Sequence, residues 1–522
     1  MPNNTLPLSD LLRASAQARK YPFLERAAFW EERLALHVAD LDKLNQAPTG
    51  GDMLTLPPKA KLEVQAPRTP VSVDQRTDVL TSASACEIAH RVASKDISAV
   101  EVAQAALSRA EAHQHLNAFI TLRPERVLEE AKALDARIAK GEAPGTLAGV
   151  PVAVKDLMYV RGHPFTCGTR AMDGKTAARD ATAVARLREA GALIMGTANL
   201  HELAYGVTSA NAHFGHVQNP TAAGHIPGGS SGGSGAAVAG GLAAIGVGTD
   251  TGGSIRIPAA CCGITGFKPT HEAVSREGCW PLADTLDHIG PLARNVEDAV
   301  LAFEAMAGLP VGCISGKTIE RPRLVKPEVF FYEHLDRDVR DRVEAALKKL
   351  AGGGGSLSER NIEDIEYAPA AQFITICAEG CQANWELLTK RGEGISPDVR
   401  LRLEVGQFIG AIDYIKAQRL RRRIRDNMIA ALKDADVLVV PTLPIQIPKS
   451  GSTTIEFAGR MIPLPGVVTR CTGPFNSAGV PACSIAIGKD RQGLPVSLQF
   501  VGRPGADATV LAVARWAQEV LR

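Results

Sequence analysis

Near the start of the chain Phe23, Ala27, Trp30, Leu34, Val38 and Leu41 recur at intervals of three or four, with Glu31, Glu32, Arg33 and Asp40 between them. That is the period of one apolar helical stripe, and it predicts an amphipathic helix. Periodicity is lost over 47–76, where Pro48, Pro57, Pro58, Pro67 and Pro70 join Gly50 and Gly51, as in a linker. The pattern divides the chain into an N-terminal helical extension with its linker, 1–75, and a second domain, 76–522. The extension reads equally well as an arm on its own chain and as a subunit contact in a homodimer. From 76 onward, helical periods alternate with short runs rich in β-branched residues. Such runs fall at 150–154, 192–196 (after a helix-like 181–190), 437–440, 484–487 and 496–501. This alternation predicts an α/β fold with an extensive sheet.

Composition narrows the class. Of 522 residues, 45% are hydrophobic and 22% charged, the balance of a globular protein. The 58 basic and 56 acidic side chains leave a formal charge of +2, so no global field attracts nucleic acid. None of the ten cysteines stands in C-x-x-C spacing, and they read as buried reduced thiols. The N-terminus shows no secretory signal, and the 13-residue apolar run 236–248 contains four glycines and is too short to span a bilayer. A cytoplasmic enzyme without membrane contact is the expectation.

The densest chemical signal is Gly228-Gly229-Ser230-Ser231-Gly232-Gly233-Ser234-Gly235, joined by apolar sequence to Gly248-Thr249-Asp250-Thr251-Gly252-Gly253-Ser254-Ile255-Arg256. Glycine lets backbone N–H groups approach a ligand closely, so two such loops point to one reaction centre. Common motifs do not account for them. Gly229 to Gly233 fits G-x-S-x-G, but 221–227 is no strand and a nucleophile elbow needs one. Gly312 to Thr318 has one residue too few between its glycines for a P-loop, and Gly246-Val247-Gly248 lacks the later glycine of a dinucleotide site. His201-Glu202 begins a zinc motif, but Tyr205 stands where the second histidine belongs, so no metal and no cofactor are expected. Lys155 closes the apolar run 150–154, an unusual place for a charge unless it is paired or functional.

Together these residues resemble the amidase signature family. The match rests on Val154-Lys155-Asp156, the two glycine loops, Gly263-Ile264-Thr265-Gly266-Phe267-Lys268-Pro269, and Pro474-Phe475-Asn476 followed by Gly479 and Pro481; it runs from about 85 to the C-terminus. The resemblance implies a large mixed, twisted central sheet flanked by helices. It also implies an amidohydrolase that cleaves an amide, carbamate or urea-like C–N bond through an acyl-enzyme. Ser254 would be the nucleophile, Ser230 a bridging serine after a cis peptide bond, and Lys155 the base. Thr251, Gly252, Gly253 and Ser254 would supply oxyanion-hole N–H groups, with Ser231, Asp250 and Arg256 in support.

Neutralising a lysine at pH 7 costs about 5 kcal/mol from its ordinary pKa, so burial must depress that pKa and Asp156 must point away. Asp250 and Arg256 read as a structural pair; binding of a substrate carboxylate by Arg256 is the alternative. Tyr205, Cys279, Trp280 and Phe475 are candidates for the walls of an apolar substrate pocket, though each reads equally as core. The partner is then a small amide-type molecule. Two other readings stand beside this one. The first is the amide-cleaving component of a glutamine-dependent amidotransferase, supplying ammonia to a tRNA-modifying partner, and the second is a catalytically silent scaffold of the same fold.

Overall fold

The computed structural model describes residues 43–47 and 82–522. The helical stripe 23–41, most of the linker and the boundary near 75 lie outside the described residues. Thirteen strands are formed among those described: β1 Phe119–Leu122, β2 Pro151–Lys155, β3 Leu193–Ala198, β4 Ile245–Asp250, β5 Thr265–Lys268, β6 His288–Ala293, β7 Arg323–Pro327, β8 Ser356–Arg360, β9 Val437–Pro441, β10 Thr454–Phe457, β11 Arg460–Pro463, β12 Ala482–Lys489 and β13 Pro495–Val501. Eleven of them build one sheet in the order β1-β3-β2-β4-β6-β5-β12-β13-β9-β7-β8, while β10 and β11 pair separately as a hairpin. The sheet is mixed. The pairs β2·β3, β2·β4, β7·β8 and β7·β9 are parallel and the others antiparallel.

The apolar runs read from the sequence become strands because both faces of the sheet are covered. Along β9, Val437 and Val439 enter one hydrophobic core while Leu438 and Val440 enter the other, the two-residue alternation of a pleated strand. Helices supply the covering layers through single faces. In Pro124–Ala139 the buried residues are Val127, Ala131, Leu134 and Ile138, one stripe of a helix that opens with proline, where the missing N–H costs nothing. The segment 43–47 packs on the body too, with Leu44 and Ala47 buried in the core that contains Phe330 and Phe331. No helix among the described residues is long and apolar enough to cross a membrane.

Candidate active site

Lys155 is the last residue of β2 and is fully buried. β2 runs parallel to β4 with Val154 opposite Val247, so the two strands end at the same edge of the sheet, where α/β proteins place their sites. Lys155 Nζ donates to Ser230 Oγ at 2.7 Å, Ser231 Oγ at 3.0 Å and Thr249 Oγ1 at 2.7 Å. The two serines come from the glycine-rich loop before helix Gly232–Ala239, and the Gly229–Ser230 peptide bond is cis. Ser231 Oγ also donates to the Thr249 carbonyl at 3.1 Å. A Cβ on Gly248 would lie 2.8 Å from Ser231 Oγ, so only glycine lets the loop close onto β4.

Burial lowers the Lys155 pKa to about 7, against smaller upward pulls from Cys279, Asp287 and Asp250. Among the described residues Nζ contacts hydroxyls and no carboxylate within hydrogen-bonding reach. Asp156 is turned elsewhere: its carboxylate accepts from the Thr166 N–H at 3.2 Å and from the Thr166 hydroxyl, and burial pushes its pKa up to about 7.

Ser254 lies in the loop between β4 and helix Arg256–Cys262, and that loop is tied down by its carbonyls. Gln372 Nε2 donates to the Thr251 carbonyl at 3.3 Å, Thr472 Oγ1 to that of Gly252 at 2.6 Å, the Ile257 N–H to that of Gly253 at 2.7 Å, and the Ser231 N–H to that of Ser254 at 3.3 Å. The N–H groups of Gly252, Gly253 and Ser254 have no protein acceptor among the described residues. Gly253 has φ +132°, and a Cβ there would collide with Thr472 Oγ1, so this turn excludes any side chain.

Asp250 and Arg256 form a fully buried pair at 3.0 Å. Burial alone would raise the Asp250 carboxyl, but the Arg256 guanidinium and the hydrogen bonds around it hold it down at about 2. Arg256 also donates to Gln499 Oε1 at 2.9 Å and Asn476 Oδ1 at 2.7 Å, and it lines neither the cleft at Ser254 nor the cavity beside that cleft. It is therefore not placed to hold a substrate carboxylate. Arg256→Met would strand a buried carboxylate and is expected to lower the unfolding free energy by about 3 to 5 kcal/mol in urea titrations. A loss below about 1 kcal/mol would show that the pair does not hold the loop.

Ser254 opens on a cleft of about 570 Å³ that Thr251, Gly252, Tyr205 and the β10–β11 hairpin also line. Of the four pocket candidates, Tyr205 alone reaches it. Cys279 and Trp280 line a second cavity of about 230 Å³, which shares Ala204 and Leu282 with the cleft as a common wall. Phe475 reaches neither: it is wholly buried and stacks on Phe331 at 5.4 Å between ring centroids, because Gly473–Ser477 is a short helix that sends Pro474 to the cleft and Phe475 into the core.

The structure adds residues that sequence reasoning missed. Thr249 completes the hydroxyl ring around Nζ, and Asp287 Oδ1 accepts the Thr251 hydroxyl at 2.5 Å while its other oxygen takes the Leu282 and Ala283 N–H groups at 2.8 and 3.0 Å. Thr472, Gln372 and Asn476 anchor the Ser254-bearing loop from the C-terminal half. Thr249 and Asn476 stand inside motifs noted in the sequence; the others carry no local signal. The imidazoles of His201 and His225 lie outside this network, that of His201 with a pKa that burial lowers to about 3 and that of His225 bonded to the Ala223 carbonyl. No group of three or more metal-ligating side chains occurs among the described residues.

A mixed sheet that brings together a buried lysine, a ring of hydroxyls and a loop of open N–H groups presents the candidate site of an enzyme. The chain belongs to the amidase signature family, whose amidase model matches residues 101–511. Over 463 residues it is 38% identical to the A subunit of the glutamyl-tRNA(Gln) amidotransferase of Symbiobacterium thermophilum, covering 81% of this chain and 93% of that one. Among solved structures it is similar to one described as an amidase, at 35% identity and a TM-score of 0.79, covering 84% of this chain and 99% of the other. The A subunit of the corresponding amidotransferase of Thermotoga maritima is 30% identical with a TM-score of 0.66, covering 81% of this chain and 91% of its own.

Proposed function

We propose that this protein cleaves the C–N bond of an amide-type substrate by acyl transfer to Ser254. The observation that carries this reading is the hydroxyl ring about Lys155. A neutral amine has two N–H groups and one lone pair, so with three hydroxyl neighbours one of them must donate to Nζ. Ser231 spends its proton on the Thr249 carbonyl, which leaves Ser230 or Thr249 for that part. Ser230 gives its proton to Lys155 while taking that of Ser254, whose Oγ attacks the carbonyl carbon. The oxyanion that forms would be received by the N–H groups of Thr251, Gly252, Gly253 and Ser254. The relay then returns the proton to the leaving nitrogen, the C–N bond breaks, and water releases the acyl group from Ser254 by the same path.

Two settings fit this step. The identity and coverage of the curated relatives support the amide-cleaving component of a glutamine-dependent amidotransferase, in which ammonia passes to a partner protein acting on tRNA. The closer superposition on the solved amidase supports a hydrolase complete in itself. Purified chain should release ammonia from simple amides if it works alone. Release from glutamine only when companion proteins are added would decide for the amidotransferase. Absence of acylation with every donor under both conditions would sink both.

A further inference from the structure

Among the described residues the charges that face the cleft are all of one sign: Lys43, Arg402, Arg460 and Arg470 line it, and no described aspartate or glutamate does. The four are not equally committed. Arg402 is matched by Asp398, with Nη2 to Oδ2 at 2.6 Å, and also donates to the Tyr205 carbonyl. Lys43 donates only to a backbone carbonyl among the described residues, that of Glu366 at 3.0 Å. Arg470 lies flat on the Phe330 ring at 3.7 Å and gives Nη2 to the Phe330 carbonyl. Its acidic neighbour among the described residues, Glu333 at 3.5 Å, is held more loosely than the Asp398 partner of Arg402 and offsets its charge in part. Arg460 stands on β11 at the cleft mouth, and its side chain has no hydrogen bond or ion pair among the described residues.

The rest of the lining is largely apolar, with Phe457, Met461 and Val467 as examples. Guanidinium groups in excess of the carboxylates beside them focus a positive potential into a cleft with low-dielectric walls, and their planar forks fit a carboxylate bidentately. Arg470 is tied to the reacting end as well: its neighbour Thr469 lies 3.6 Å from where a Gly252 Cβ would stand. We propose that the substrate is an amide whose far end carries a carboxylate or a similar oxyanion, joined to the scissile group by an apolar arm and bearing no free ammonium. Arg460 and Arg470 are its specificity-determining residues. The inference rests on the cleft being the acyl-transfer site of Ser254, and of the two settings above it favours the hydrolase complete in itself. Glutamine would satisfy the arginines with its α-carboxylate but would bring its α-ammonium among cations with no carboxylate to receive it among the described lining residues.

The full chain is to be assayed on succinamate, glutaramate and adipamate against the unsubstituted amides of equal length, and on glutamine. The best carboxylate-bearing amide is expected to exceed its neutral counterpart in kcat/KM by about tenfold or more, and glutaramate is expected to exceed glutamine. Arg460→Gln, on an exposed hairpin strand, should collapse the first preference towards one, with the loss in KM rather than kcat. Neutral amides equal to charged ones, glutamine equal to glutaramate, or an Arg460→Gln effect that falls on both substrate series alike would overturn the proposal. Calorimetric binding to Ser254→Ala keeps the two readings apart. Preferential binding of glutaramate over pentanamide without any turnover by the native chain would uphold the anion site and sink the acyl-transfer reading. Turnover without that preference would do the reverse.

Discussion

Ser254→Ala is expected to lower amide turnover by about 10⁴-fold or more and to abolish the mass adduct with a serine-directed fluorophosphonate. Three serines crowd the centre, and their surroundings separate them. Ser231 is fully buried and its hydroxyl proton is committed to the Thr249 carbonyl. Ser230 is fully buried against Lys155 and its carbonyl accepts the His201 N–H at 3.0 Å and the Ser209 hydroxyl at 3.2 Å. Ser254 is the one of the three that lines the cleft. Its alanine variant removes a single oxygen, so the folded state and its melting temperature should be retained, which separates loss of the nucleophile from loss of the fold. Labelling that survives the substitution, detected by mass spectrometry on the intact chain, would place the nucleophile elsewhere.

What could be read in advance follows from how each feature is encoded. Lys155 was legible because a charge at the end of a strand buried on both faces conflicts with its surroundings, and such a conflict shows in one dimension. The two glycine loops were legible by density. Thr249 was not, since a threonine in a strand looks the same whether its hydroxyl bonds a neighbour or a functional amine. Asp287 becomes recognisable only when the fold brings the Thr251 hydroxyl and two N–H groups to one carboxylate. Trp280 and Cys279 stand on the far side of the wall formed by Ala204 and Leu282, and sequence distance carries no record of which side of a wall a residue takes. The β10–β11 hairpin escaped because its strands are short and partly exposed, and its turn is signalled only by Ala458-Gly459, both with positive φ. Yet that hairpin supplies Phe457, Arg460 and Met461 to the cleft. The fold was thus encoded in periodicity and the proposed reacting groups in composition, while the lining of the cleft comes from contacts between segments far apart in the chain.

Lys155→Met should separate activity from stability. Turnover is expected to fall about 10³-fold or more at pH 7, because no other group near Ser230 can take its proton. In the native enzyme kcat/KM should climb with pH and level off above about 7, as the buried amine loses its proton. The methionine variant should lose this rise along with the rate. The same burial works against folding. In the unfolded chain the lysine keeps its ordinary pKa of 10.5, so between about 7 and 10.5 the unfolded state binds more protons and native stability rises with pH. Below about 7 both states are charged and the folded one carries the full desolvation penalty, about 5 kcal/mol from the separation of the two pKa values. Methionine removes that penalty but leaves Ser230 and Thr249 without their amine partner, at about 1 to 3 kcal/mol for each hydroxyl so deprived. The stability of the variant relative to the native protein should therefore be about 4 kcal/mol more favourable at pH 6 than at pH 10, as followed by chemical denaturation at the two pH values. A native rate that is flat from pH 6 to 9, or a variant that keeps its activity, would remove the neutral amine from the reaction.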